Sequence, residues 1–149
     1  MSRTTDFLIN LRRIIKLHES MLKTICEEYH LTMIEATIIS FLHNNPGKDT
    51  AADIVELRML SKGNVSQAVE SLIQKSLVER QLDLKDRRRV HLSLTPKAQP
   101  IVQSMEQIWK EFEEQVFFGV SEEDKALFDR LNDRIKENTK YAMARRNKI

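Results

Sequence analysis

Two hydrophobic periods meet within one stretch of this chain, between Ser61 and Thr95. In its first half Val65, Val69, Leu72 and Ile73 recur at i, i+4, i+7 and i+8, the stripe of an amphipathic helix, with Ser61 placed to cap its start. In its second half the period falls to two. Val78, Arg80 and Leu82, then Val90, Leu92 and Leu94, form two runs that each present one largely apolar face, the pattern of paired strands. A 3.6-residue period and a 2-residue period cannot occupy the same element, so a helix must give way to a hairpin.

The surfaces left over are unlike each other. Opposite the helical stripe lie Gly63, Ser66, Gln67, Glu70, Ser71 and Gln74, with Lys62 and Asn64 near the N-terminal edge, a small and polar face able to enter a major groove. Between the strands, Asp83-Leu84-Lys85-Asp86-Arg87-Arg88-Arg89 is too long for a tight turn and reads as a protruding basic loop suited to phosphates or a minor groove. Gln67 and Asn64 can each read adenine bidentately or contact only phosphate or water. Ser61, Lys62 and Ser66 suit the phosphate backbone, and a helix N-terminus favours anions.

Net charge would not suggest nucleic acid, since it is only +2 over 149 residues. Its distribution does. From Arg80 to Lys97 six basic residues face two acidic ones, whereas from Lys110 to Glu137 five basic residues face nine acidic ones. With 31% charged and 41% hydrophobic residues the composition is that of a soluble globular chain, long enough for one fold unit over 1–149. No apolar run approaches the roughly 20 residues of a membrane span, and the N-terminus lacks a signal-peptide pattern, so a cytoplasmic location is expected. The single Cys26 excludes an intrachain disulfide, and His18, His30, His43 and His91 show no zinc-site spacing; no metal and no cofactor are expected. Without a Ser/His/Asp, Cys/His or phosphate-loop constellation, catalysis is not expected either.

The remaining chain reads as helices. From Phe7 to about Glu28, Phe7, Leu8, Leu11, Ile14, Ile15, His18, Leu22 and Ile25 give a near-3.5 repeat without a breaker, a stripe longer than a small core can cover, which calls for a partner chain. Thr32 and Glu35 form a capping-box pattern that opens a second helix, ended by Pro46 and Gly47. Thr50 caps a third, short helix to Leu57, and Arg58-Met59-Leu60 turns into Ser61, so the third helix and the one after it form a helix-turn-helix. Thr95-Pro96 reads as an N-cap and N1 proline for a long helix to about Phe118. Gly119 and Ser121 then separate it from a last helix carrying Leu127, Phe128, Leu131, Ile135 and Ala142 towards the basic tail Arg145-Arg146-Asn147-Lys148-Ile149.

This order of elements, with Asp86-Arg87-Arg88 followed by Leu94-Thr95, resembles the MarR/SlyA family of bacterial transcription regulators over essentially the whole chain. The resemblance implies a mainly α fold with a small β-hairpin: a winged helix-turn-helix over 32–95, flanked by dimerisation helices at 5–30 and 96–146. The family's D-x-R and L-T wing pattern maps onto Asp86, Arg88, Leu94 and Thr95, implying that Arg88 or Arg87 enters the minor groove while Asp86 orients an arginine. Its recognition-helix pattern maps onto Ser61, Gly63, Val65, Ser66 and Gln67. Two departures stand out, Ser76 and Ala98, where glycine is usual. A serine held at positive φ there would be strained by roughly 1 kcal/mol.

The resemblance and the residues together lead to the expectation of a homodimer that binds double-stranded DNA at a pseudo-palindromic operator, acting as a regulator and more specifically as a repressor. Similarity also implies a candidate pocket for a small aromatic effector involving His18, Tyr29, Phe41, Met105 and Trp109, against the plainer reading of these residues as core. Two alternatives stand beside this reading: a winged-helix module that uses the same surface on protein, and a thiol-based redox sensor acting through Cys26. The sensing cysteines of such relatives lie nearer the start of the first helix than Cys26 does, which favours an inert buried thiol.

Overall fold

A computed structural model describes residues 1–147; of the expected basic tail, Lys148 and Ile149 lie outside the described residues. The elements run α1 (Arg3–Tyr29), α2 (Met33–Asn44), α3 (Ala51–Arg58), α4 (Lys62–Gln74), β1 (Val78–Leu82), β2 (Val90–Leu94), α5 (Gln99–Val116) and α6 (Glu122–Arg146). The mainly helical fold with one antiparallel hairpin matches the winged-helix expectation. Two compact units form, Met1–Phe112 and Glu113–Ile149, with the division falling inside α5.

Local chemistry sets the helix ends. Ser2 caps α1 by accepting from the Thr5 N–H, so the helix begins four residues before Phe7, and His30 closes it in the left-handed conformation at φ 56°. At α2 the Thr32 hydroxyl accepts from the Glu35 N–H at 3.1 Å while the Glu35 carboxylate accepts from the Thr32 N–H at 3.0 Å, the complete reciprocal box. Thr50 and Asp53 repeat it at α3. The α5 start departs from the sequence expectation. Thr95 makes no side-chain cap; Pro96–Ala98 form a 3-10 turn and α5 begins only at Gln99. The Thr95 hydroxyl is turned instead towards the end of α4, donating to the Ser76 carbonyl at 2.6 Å, and in that rotamer its oxygen accepts from no helix N–H.

The core of the first unit joins Leu22, Ile25 and Cys26 of α1 to Ala36, Ile38, Ile39 and Phe41 of α2, Ile54 of α3, and Val65, Val69 and Leu72 of α4. Val78 and Leu92 of the hairpin and Ile101, Val102 and Met105 of α5 complete it. Each buried side chain of this size contributes about 1.5–3 kcal/mol by leaving water. The α1 stripe divides: its C-terminal third is in this core, whereas Phe7, Leu8, Leu11 and Ile15 stay exposed. In the second unit, Phe117 packs edge-on against Phe128 at 5.3 Å, and α6 buries no residue, leaving Leu127, Leu131, Ile135 and Tyr141 open.

One charged side chain is part of the core packing. Glu35 is only 2% exposed, and its carboxylate accepts from Ser71 Oγ at 3.0 Å and from Lys75 Nζ at 2.9 Å, besides the Thr32 N–H. Burial alone would raise its carboxyl; the Thr32 N–H, Lys75 and Ser71 together outweigh burial and hold it below the ordinary carboxylate range. This contribution is therefore complete above that range and is lost as pH falls through the lowered folded value. Replacing Lys75 with Met leaves a buried anion without its cation. The expected cost is about 2–3 kcal/mol in urea unfolding, less than the roughly 3–5 kcal/mol of a fully enclosed pair, because the Lys75 side chain is 36% exposed.

Candidate nucleic-acid interface

The polar face of α4 is free. Ser61, Lys62, Gly63, Asn64, Ser66 and Gln67 are all exposed, while Val65, Ala68, Val69 and Leu72 turn inward. Ser61 serves as the N-cap, its Oγ accepting from the Asn64 N–H at 3.2 Å, which leaves the Asn64 side chain available at the open end of the helix. Asn64 and Gln67 share a groove of about 280 Å³ with Thr32, Ile34, Glu35, Ala68 and Ser71. Ser66 faces a second groove with Ala51, Glu70, Arg80 and Val90. Glu70, one turn along, pairs with Arg80 of β1, so each charge of that pair is engaged within the fold.

The hairpin pairs Val78 with Leu94 and Leu82 with Val90, and beyond that last pair the loop folds on its own carboxylates. Asp83 Oδ1 accepts from the Lys85 and Asp86 N–H groups at 2.8 and 3.0 Å, a local turn that lifts the loop tip away from the strands. Asp86 Oδ1 accepts from the Arg88 N–H at 3.0 Å and lies 3.7 Å from Arg88 Nε. The Arg88 side chain is nonetheless 95% exposed, and Arg87 and Arg89 are exposed with it. Asp83 also meets His91 of β2, whose hydrogen bond is the first cause holding the Asp83 carboxyl down at about 2. Sequence reasoning gave His91 no role. Its same-face, diagonal relation to Asp83 follows once the register Gln81↔His91 is known.

The wing joins α4 through Ser76, which stands at φ 62°, the positive value anticipated where glycine is usual. Three bonds hold it there: its N–H donates to the Ile73 carbonyl, its own carbonyl accepts from Thr95 Oγ1, and Lys97 Nζ donates to the adjacent Lys75 carbonyl. Ala98, the other departure, is buried in the turn before α5, at 1% exposure.

The sequence profile described as MarR family matches residues 30–89, which hold α2, α3, α4, β1 and the wing loop. Over that segment, 60 of the 149 residues, the chain is similar to the MarR family. Solved structures agree on the fold over most of the length. S. aureus MepR in its DNA-binding conformation is 20% identical, covering 89% of this chain and 98% of that one with a TM-score of 0.79. The S. aureus MepR–DNA complex is 20% identical over 93% and 98% of the two chains, TM-score 0.70. Bordetella bronchiseptica BpsR, whose DNA binding is regulated by 6-hydroxynicotinic acid, is 21% identical over 88% and 98%, TM-score 0.66.

Of the residues named for an effector pocket, His18 and Trp109 meet. Trp109 Nε1–H donates to His18 Nε2 at 3.2 Å, and Phe112 stands edge-on to the imidazole at 5.2 Å. Burial, with Arg58 nearby, pushes the His18 pKa down, in keeping with a neutral ring that accepts at Nε2. Met105 and Phe41 are in the core, at 0% and 5% exposure, and Tyr29 packs at its edge. Cys26 is buried, its Sγ 3.8 Å from the Thr32 carbonyl, and burial raises its thiol pKa, the opposite of what a thiolate sensor requires. Among the described residues no helix is long and apolar enough to cross a membrane.

Strain at Ser76 is open to test. Ser76→Gly relieves a left-handed non-glycine backbone, which costs roughly 1–2 kcal/mol, and adds unfolded-state freedom that offsets part of the gain. A net rise of about 0.5–1 kcal/mol in chemical unfolding is expected; a loss would mean that the strain is relieved elsewhere.

Proposed function

We propose that this chain is a MarR-family, sequence-specific DNA-binding transcription regulator, a repressor, that acts as a homodimer on a pseudo-palindromic operator in the cytoplasm. The observation that carries the reading is the pairing of two exposed surfaces within one compact unit: the small polar face of α4 and the arginine-tipped wing. In it, Gln67 and Asn64 read base edges, Ser61, Lys62 and Ser66 hold phosphates, and Arg87 and Arg88 reach a minor groove with Asp86 aiming them. Support comes from the MepR–DNA complex, which shares this fold.

Exposed apolar area supports dimerisation. Phe7, Leu8, Leu11 and Ile15 on α1 in the first unit, and Leu127, Phe128, Leu131 and Ile135 on α6 in the second, are each at least 39% exposed, two apolar stripes that a second copy would cover. A small aromatic effector completes the proposal. It would act where His18 and Trp109 satisfy each other, a bond that a planar ligand with its own polar atoms can replace; BpsR, regulated by 6-hydroxynicotinic acid, supports the class.

Gel shifts against the protein's own upstream region, with a salt titration, test the reading. Affinity is expected to fall about 10³-fold or more between 50 and 200 mM salt if six or more phosphates are neutralised. Binding that ignores salt, or that occurs only with a protein partner, would instead favour a winged-helix protein-interaction module. Arg88→Ala is expected to weaken specific binding by about 1–3 kcal/mol while sedimentation still gives twice the chain mass. A stable monomer at micromolar concentration would remove the two-fold operator from the reading.

A further inference from the structure

His91 sits between two carboxylates contributed by different parts of the fold. Its Nδ1 lies 2.7 Å from Asp49 Oδ1, in the connection between α2 and α3, and its Nε2 lies 2.8 Å from Asp83 Oδ2, at the root of the wing. A neutral imidazole has one N–H and one lone pair, so it can donate to only one of these acceptors and must turn a lone pair towards the other. An imidazolium donates to both. The geometry is therefore that of a cation bridging two anions, and one more bond reinforces it, the Leu92 N–H donating to the Asp49 carbonyl at 2.8 Å.

We propose that His91 is a positioning residue of the wing: as an imidazolium it clamps Asp83 to Asp49, and loss of its proton to solvent frees the wing from the helix-turn-helix. The consequence for DNA rests on the reading of Arg87 and Arg88 as groove contacts. Asp83 is the residue that shapes the loop. Its second oxygen holds the Lys85 and Asp86 N–H groups, and Asp86 in turn holds Arg88, so the clamp reaches the wing arginines through two consecutive carboxylates. The charges that act on the imidazole are Asp49 from the α2–α3 connection and Asp83 from the wing. On adjoining α3, Asp53 is occupied by Thr50 and feels Lys48 and Arg89. Asp49 first, and Asp83 second, raise the His91 pKa above its ordinary value of 6.5. The clamp thus persists to higher pH than an ordinary imidazolium would allow and opens as pH rises through the raised value. On the acid side the Asp83 arm is lost as its carboxylate is protonated, near 2.

Two measurements on the full-length protein test this. In the first, NMR follows the His91 ring nitrogens and the Lys85, Asp86 and Arg88 amides from pH 6 to 9.5 without DNA. The wing amides are expected to titrate with the His91 ring, at a midpoint above 6.5 that moves down in Asp49→Asn. Wing amides that stay still while the ring titrates would overturn the proposal. In the second, fluorescence anisotropy uses a duplex enriched by the wild-type protein from a random-sequence pool at pH 6.5. Wild-type affinity is expected to fall about tenfold by pH 9, comparable to losing one groove-contacting arginine. His91→Lys, which keeps a cation throughout, should hold its affinity, and His91→Gln should bind weakly at every pH. Equal pH slopes for wild type and His91→Gln would also overturn it. If the pool yields no duplex, the DNA-binding reading fails, and the NMR measurement alone decides the clamp.

Discussion

The buried carboxylate of Glu35 is the constraint on which the rest of the winged helix depends. It closes the start of α2, receives Ser71 and Lys75 from the end of α4, and through Lys75 Nζ also reaches the His30 carbonyl at the end of α1. Three helix ends thus converge on one anion. A buried ion pair adds little net stability compared with an apolar packing, but it discriminates strongly against geometries that leave a charge unpaired. Here that discrimination applies to the angle at which α4 leaves α2, and hence to where its polar face points.

From the same junction the wing is set in two stages. Ser76, Thr95 and Lys97 tie both ends of the hairpin to the end of α4, so the hairpin's base moves with the helix. Further out, the strands carry few apolar contacts: Leu82 is 63% exposed, and the loop beyond it is held by carboxylate-to-amide bonds and by His91. Solvent-exposed polar bonds of this kind open at lower cost than core packing. The outer wing is accordingly the part of the first unit whose position can respond to conditions, while α4 cannot turn without disturbing Val65, Val69 and Leu72.

The apolar residues divide in a parallel way. In the first unit they converge on a core fed by every element from α1 to α5, whereas the first half of α1 and, in the second unit, all of α6 keep their stripes uncovered. Helices with an apolar stripe gain stability chiefly by burying it, and a stripe left open marks an association surface.

The sequence by itself determined the elements and their faces. Periods of 3.6 and 2 residues separated α4 from the hairpin, and the Thr32–Glu35 pair located the start of α2. These features act over a few residues, and short-range patterns carry them. Tertiary structure decided whatever needed two distant residues to meet. Thr95, a good N-cap by sequence, turns its hydroxyl towards Ser76 because the hairpin brings them together; it makes no side-chain cap, and α5 starts only at Gln99. Glu35 becomes an ion-pair partner only because Lys75, 40 residues on, arrives beside it. His91 gains its two carboxylates from Asp83 across the hairpin and from Asp49, 42 residues away, a neighbour that no period or spacing announces. Side-chain identity sets what a residue can bond; which of its options is used depends on what the folded chain places within about 3 Å.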